Sequence, residues 1–534
     1  MNRRRYGRVA PLVPSSHLHG FPLGLGLLIP HSSPMKRCVQ VLVVGLVAMS
    51  AAVLTVGGPA GAATSTPAVQ PTPAVSMSLP APTTTATAAQ RHASSAHFTI
   101  GTWDKILPTG QLAWLPNSGV PFDTDYGYAT GTGPGTKSDA HSATLLAFAQ
   151  RAQLLGAMPV ITYFRMNGNY WGSTSNPAAC LATCTQGDTA KRNLDHLNDP
   201  SFMQNYFTGL VDTLRTFDAS YTGQAVLHVE PDLSAYGQML SLDRARCATD
   251  CVNGVGPDNP AGVRAAVASS GIKDLSGFPN TMQGFYSAVL YLRDRYAPRV
   301  SLAYHVSNWA TARTGTVTGN NDVSNNITSS TVAVDAAALG QRVASFAALN
   351  GASTTNVTRP GPKTSRYDLL FNDVLDADAA YYSTVRGTDG YWWDTENIDL
   401  PNFARWETYL GAITAATGLS ANVWQVPLGN TIYKVENNTT GHYQDNKLQY
   451  FFDHLPELKA IGVTGVMFGS GYTSTNPGDS QNDLPDNSTT VCTTLGSHSQ
   501  TPQCPTLSAS LTDDDGGYFR QRALTYFLNP LPLS

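Results

Sequence analysis

From about residue 97 onward, short apolar runs alternate with longer segments whose apolar positions recur every three to four residues. The first pattern is the period of a strand and the second that of a helix packed along one face. Strands are predicted at 98–103 (FTIGTW), 159–166 (PVITYFRM), 225–230, 300–306, 367–373 (YDLLFND), 421–426 and 463–468 (VTGVMF), with 123–129 as an eighth. Helices are predicted at 140–156, 200–216, 281–296, 334–349, 402–417 and 446–460, each leading into a strand, and 517–528 closes the chain. Strands that alternate with helices in this way build a parallel sheet, so the fold class is α/β. Seven or eight such units fit a closed TIM-like (β/α)7-8 barrel, and no Gly-rich dinucleotide fingerprint follows any strand.

The connections are unequal. Those from helix to strand are short, as at Gly156, Pro298 and Gly462, with 350–366 the exception. Those from strand to helix are long: 167–199, 231–280, 307–333, 374–401, 427–445 and 469–516. Long loops on the C-terminal face are where barrels of this kind build their sites.

The polar residues at strand ends point the same way. In AVLHVEPDLSAY, 225–236, an apolar strand finishes in His228, Glu230 and Asp232, which share one parity and so one face. Pro231 ends the strand. Glu230 is the first candidate for a proton-donating carboxyl, since a strand end among aromatic loops raises a carboxyl pKa. The other reading is that Glu230 and Asp232 cap the next segment. Two further acidic clusters follow, NDVLDAD at 372–378 and DTENID at 394–399. The first supplies Asp373, with Asp376 in reserve, as the second carboxylate. In the second, Asp399 and Asn402 are placed to cap a helix starting near Phe403.

Around these carboxylates the loops carry Tyr163, Arg165 and Trp171, then His305, Asn308 and Trp309, then Asn372, Trp393, Trp424 and Gln425. Apolar faces of pyranose rings stack on Trp and Tyr while their hydroxyls need amide, carboxylate and guanidinium partners, so His228 and these residues form a candidate sugar-binding set. Trp171, Trp309, Trp392, Trp393 and Trp424 are five of the chain's 8 tryptophans, which favours a stacking role over ordinary rim packing.

Composition narrows the picture. Only 13% of residues are charged and the formal net charge is -4, which gives nucleic acid or an anionic membrane surface nothing to bind. Residues 1–34 are basic and Pro-rich and read as an upstream mis-start. Met35 opens a better start: Lys36 and Arg37, an apolar run from Cys38 to Val56, and the small residues Ala60, Gly61 and Ala62, together a secretory signal over 35–63. The apolar run is also about long enough to span a membrane if uncleaved. Thr, Pro and Ala dominate 64–96, which is expected to be a disordered linker, leaving 97–534 as one barrel domain. Six cysteines follow the signal: Cys180, Cys184, Cys247, Cys251, Cys492 and Cys504. In an exported chain an even set implies three disulfides, although the two C-x-x-x-C pairs also allow a four-thiolate zinc site. No HExxH or EF-hand loop occurs, so no metal or other cofactor is expected. A G-x-S-x-G elbow is also absent.

EPDLSAY resembles the IEPDSL-type motif at a strand end in glycoside hydrolase family six, the inverting β-1,4-glucanases and cellobiohydrolases. SLAYHVSNW is similar to the strand ending in Gly-His-x-x-Trp that follows in that family. The resemblance implies a barrel, a β-linked polysaccharide substrate and a role for Asp232 at the motif's aspartate. That family's acidic loop after the preceding strand corresponds here to FRMNGNYWGS, which carries no carboxylate. The chain also resembles retaining barrel glycosidases whose acid/base Glu ends the fourth strand, which places Glu230 there if 123–129 is a strand, although Val229 stands where they carry Asn and no Glu ends 421–426. The expectation is a secreted or cell-wall-associated monomeric glycoside hydrolase, family unassigned, that acts on a polysaccharide or oligosaccharide. The alternative is a non-catalytic carbohydrate-binding barrel.

Overall fold

Eight strands follow one another around a barrel in chain order: β1 Thr99–Trp103, β2 Thr124–Ala129, β3 Met158–Tyr163, β4 Val226–Val229, β5 Ser301–His305, β6 Leu369–Asp373, β7 Ala421–Val426 and β8 Val463–Phe468. Every neighbouring pair is parallel, and β1 pairs with β8 through Thr99 to Thr102 against Gly465 to Phe468, so the sheet closes. The computed structural model describes residues 75–82, 95–103, 115, 118–129, 142–166, 186–242, 251–311, 335–375, 377–387, 389–433, 436, 438, 443–469 and 517–534. All fall within one unit, Val69–Ser534.

Between and after the strands lie α1 Ser142–Leu154, α2 Gln186–Asn198, α3 Pro200–Ser220, α4 Leu233–Leu242, α5 Met282–Tyr296, α6 Ala336–Leu349, the single turn α7 Ala379–Tyr381, α8 Phe403–Thr417, α9 Lys447–Asp453, α10 Leu455–Ala460 and α11 Tyr518–Phe527. Local chemistry sets several of their ends. The Asp199 carboxylate accepts from the Ser201 and Phe202 amides ahead of Pro200, and Asn402 accepts from the Arg405 amide, which starts α8 as its sequence implies. Asp399 is not the cap; its carbonyl accepts from the Asn402 side chain. Asp394 gathers the DTENID turn by accepting from the amides of Glu396, Ile398 and Asp399.

Period-2 alternation divides the strands into two apolar layers. Trp103, Tyr126, Val160, Val226, Ala303, Leu369, Phe371, Trp424 and Met467 fill the barrel, whereas Ile161, Tyr163, Leu227, Val229, Leu302, Tyr304 and Leu370 face the helices. A sheet-facing stripe on α3, from Phe202 through Tyr206, Leu210 and Leu214 to Phe217, meets that outer layer at helical spacing.

Strand bounds lie within one to three residues of the sequence reading, and 123–129 does form a strand. The expected helix 446–460 is two, broken at His454. Pro456 lies in the first turn of α10, where its missing N–H costs nothing, while a continuous helix would need that donor. Three helices, α2, α4 and the single turn α7, occupy stretches read as loop. Part of the expected linker is also ordered: Met77 exchanges backbone hydrogen bonds with Gly271 and Lys273, and Leu79 is buried with its amide on the Asp274 carboxylate. Those two side chains are large apolar groups in a segment that otherwise has few. Among the described residues, no helix is long and apolar enough to cross a membrane.

Candidate active site in the barrel mouth

The inward row of each strand brings together residues that are far apart in sequence. On β6 the row is Leu369, Phe371, Asp373; on β5 it ends at His305; on β4 it is Val226 and His228. Asp373 Oδ1 accepts from His305 Nε2 at 3.0 Å, and its side chain stays 21% exposed while that of His305 is 1% exposed. His305 Nδ1 in turn lies 3.0 Å from His228 Nε2. His228 is wholly buried, and burial together with the adjacent His305 holds its imidazole well below the ordinary pKa, so it is neutral.

Aromatic rings line the histidine pair that holds this carboxylate. Trp424 meets His305 at 5.6 Å and Tyr128 at 5.7 Å between ring centroids, and Tyr126 lies 6.0 Å from the same indole. Gln425 follows Trp424 at positive φ, 58°, where the register of β7 on β8 shifts between Val423 and Val426. That irregularity turns the Gln425 amide to the Tyr128 hydroxyl, to which it donates. Asp373, His305, His228, Trp424 and Gln425 are thus brought together, and Tyr128, Tyr126, Trp103, Thr162 and Phe371 complete their surroundings. The sequence signal for Tyr126 and Tyr128 was available, since TDYGYA alternates, but aromatic residues within a strand read equally well as core.

Other candidates lie on the far side of the barrel wall. Glu230 takes a left-handed backbone conformation, φ 43°, which breaks the parity it shared with His228. Its carboxylate accepts from the Arg165 amide at 3.0 and 3.1 Å and from the Met166 amide at 2.9 Å. Tyr206 of α3 lies beside it, and Tyr206, Tyr163 and Met166 belong to the sheet-to-helix layer. Glu230 is 1% exposed, and burial pushes its pKa up to about 7, against the lowering pull of the Met166 and Arg165 amides. Arg165 sits over the Tyr163 ring and donates to its hydroxyl at 2.9 Å, its guanidinium lying against Gly209 of α3, where a Cβ would be 2.4 Å from Nη1.

Asn308 and Asn372 are braces. Asn308 donates to the Asp373 carbonyl at 2.8 Å, Asn372 donates to the Asn308 amide oxygen at 3.0 Å, and the Trp406 indole donates to Asn372 at 2.8 Å. Trp393 is fully buried against Phe403 and Trp406, and Trp309 packs on Tyr236 at 4.9 Å. Asp232 is half-buried just before α4. Trp171 and Asp376 lie outside the described residues, as do Cys180, Cys184, Cys247, Cys492 and Cys504. Among the described residues, no group of three or more His, Cys, Asp or Glu side chains is placed to hold a metal ion.

No protein-family model matches the chain, and no curated protein matches it. Among solved structures it is similar to an endo-β-1,4-mannanase from Thermotoga petrophila, at 10% identity and a TM-score of 0.34, over 81% of this chain and 77% of that one. It is also similar to fungal β-1,4-galactanases, at 11% identity and 0.32, over 80% and 100% of the two chains. A third is an endoglucanase from Humicola insolens, at 12% identity and 0.23, over 54% and 62%. TM-scores this low carry no argument about activity, and the barrel rests on its own strand order.

Proposed function

We propose that the protein is an exported glycoside hydrolase that cleaves a polysaccharide or oligosaccharide by carboxylate chemistry. The observation that carries this reading is the part-exposed Asp373 carboxylate at the C-terminal end of β6, hydrogen-bonded to His305, whose ring meets Trp424, which in turn meets Tyr128 with Gln425 on its hydroxyl. Such a mouth offers a sugar an aromatic face to stack on, an amide for its hydroxyls and a carboxylate for the anomeric centre. Asp373 then acts as base or nucleophile. The proton for the leaving oxygen comes from a second carboxyl group, for which the half-buried Asp232 and the Asp376 of the β6 loop are the candidates this reading favours. Glu230, with both oxygens held by backbone amides, serves to fix the ends of β3 and β4.

The test is release of reducing ends by the exported chain on a panel of plant and cell-wall polysaccharides. Turnover on at least one β-linked polymer is expected. Binding across the panel without any release of reducing ends refutes the hydrolase and leaves a carbohydrate-binding barrel.

We also propose export through the signal over 35–63, with the first 34 residues outside the translated product, and three disulfides among the six remaining cysteines. Cys251, the one described, is buried and disulfide-bonded, which supports the pairing. Mass spectrometry of the secreted protein is expected to find the N-terminus between Ala62 and Thr64 and no free thiol. A chain beginning at Met1 refutes the signal.

A further inference from the structure

Three hydrogen bonds run in line through the barrel, from β3 to β6. Thr162 Oγ1 lies 3.3 Å from His228 Nδ1, His228 Nε2 lies 3.0 Å from His305 Nδ1, and His305 Nε2 lies 3.0 Å from Asp373 Oδ1. With a single N–H on each ring, counting donors and acceptors gives the chain one direction. An ionised carboxylate only accepts, so His305 must carry its hydrogen on Nε2. A neutral imidazole has a single N–H, so His305 Nδ1 is an acceptor and His228 must donate to it from Nε2. His228 Nδ1 is then an acceptor as well, and the Thr162 hydroxyl donates to it.

The surroundings leave the His228 ring little choice of orientation. Phe371 stacks on it at 4.4 Å and 16°, Trp424 meets it edge-on at 4.9 Å, and His305 lies 5.1 Å away. Of the groups that face it, Thr162 on β3, Phe371 on β6 and Trp424 on β7 do not titrate. His305 on β5 is the titratable neighbour, with Asp373 one hydrogen bond further on. The Asp373 Oδ2 atom has no hydrogen-bond partner among the described residues and is the oxygen left for substrate.

We propose that Thr162 and His228 are positioning residues for Asp373. By fixing His305 as its Nε2–H tautomer, they commit Oδ1 to the protein and turn Oδ2 to the mouth. This rests on the reading of Asp373 as the catalytic carboxylate. A ring free to take the other tautomer would present a lone pair to the carboxylate and release it.

The chain is tested in the full exported protein with Thr162→Val, which keeps the shape and removes the hydroxyl, beside Thr162→Ser, which keeps the hydroxyl. Nitrogen-15 NMR of histidine-labelled protein is expected to show His228 and His305 of the wild type as neutral Nε2–H tautomers. Thr162→Val is expected to give mixed tautomers at both rings and about a tenfold fall in kcat with KM unchanged, the size of one lost hydrogen bond. Thr162→Ser is expected to restore both. An Nδ1–H tautomer at His228 in the wild type overturns the proposal, as does a Thr162→Val variant with wild-type tautomers and kcat. Should the tautomers shift as expected while no variant, nor the wild type, cleaves any glycan, the hydrolase reading fails and the positioning of Asp373 stands.

Discussion

Asp373→Asn is expected to lower turnover on the responsive polysaccharide by ~10²–10⁴-fold while binding and melting temperature stay near those of the wild type. Asparagine has nearly the same size, and its amide oxygen accepts from His305 Nε2 as Oδ1 does. The Asn308 bond goes to the Asp373 main chain and survives the change. A side chain 21% exposed leaves the neutral amide solvated, so stability should change little. What disappears is the charge: an amide neither takes a proton from water nor forms a glycosyl ester. Initial rates of reducing-end release, with affinity measured on a non-cleaved oligosaccharide, separate the two effects. Turnover within about threefold of the wild type would remove Asp373 from the chemistry.

Glu230→Ala is expected to destabilise the fold by ~3–6 kcal/mol, which urea unfolding measures. The substitution strands the Arg165 and Met166 amides in a site where the side chain is 1% exposed, at ~1–3 kcal/mol for each unsatisfied donor, and leaves a cavity beside Tyr206. Alanine also keeps the cost of a backbone at φ 43°. Glu230→Gln tests the same site through pH. Burial raises the folded-state pKa of Glu230 from 4.5 to about 7, so its contribution to stability is full below about pH 4.5 and is lost as pH rises through 7. His228 works in the opposite sense: its depressed pKa favours the fold above about 6.5, and that contribution is lost as pH falls. Between about pH 4.5 and 6.5 the two slopes oppose each other. The Gln variant should therefore gain stability more steeply with rising pH than the wild type does. If instead it keeps the wild-type pH dependence and melting temperature but loses turnover ~10²-fold or more, Glu230 is the proton donor after all.

Much of this was legible along the chain. Eight strands and their helices follow from alternation between two periods, which is local information, and Asp373, His305 and Trp424 stand at strand ends, where a parallel barrel collects them. Glu230 shows the limit. Parity placed it in the row of His228, and only a backbone at positive φ, favoured by amides at the end of the neighbouring β3, sends it through the wall to Tyr206. Trp309 and Trp393 looked like rim aromatics, yet their burial depends on Tyr236, Phe403 and Trp406, whose helices pack over them. Periodicity therefore determined the barrel and the end of it that carries the chemistry. Which side of the wall each polar side chain occupies was decided by hydrogen bonds and packing between residues 64 to 77 positions apart, as in the Glu230 latch and the His228, His305 and Asp373 chain. Such contacts depend on strand register and on single backbone angles, and a pattern of apolar and polar residues along one segment encodes neither.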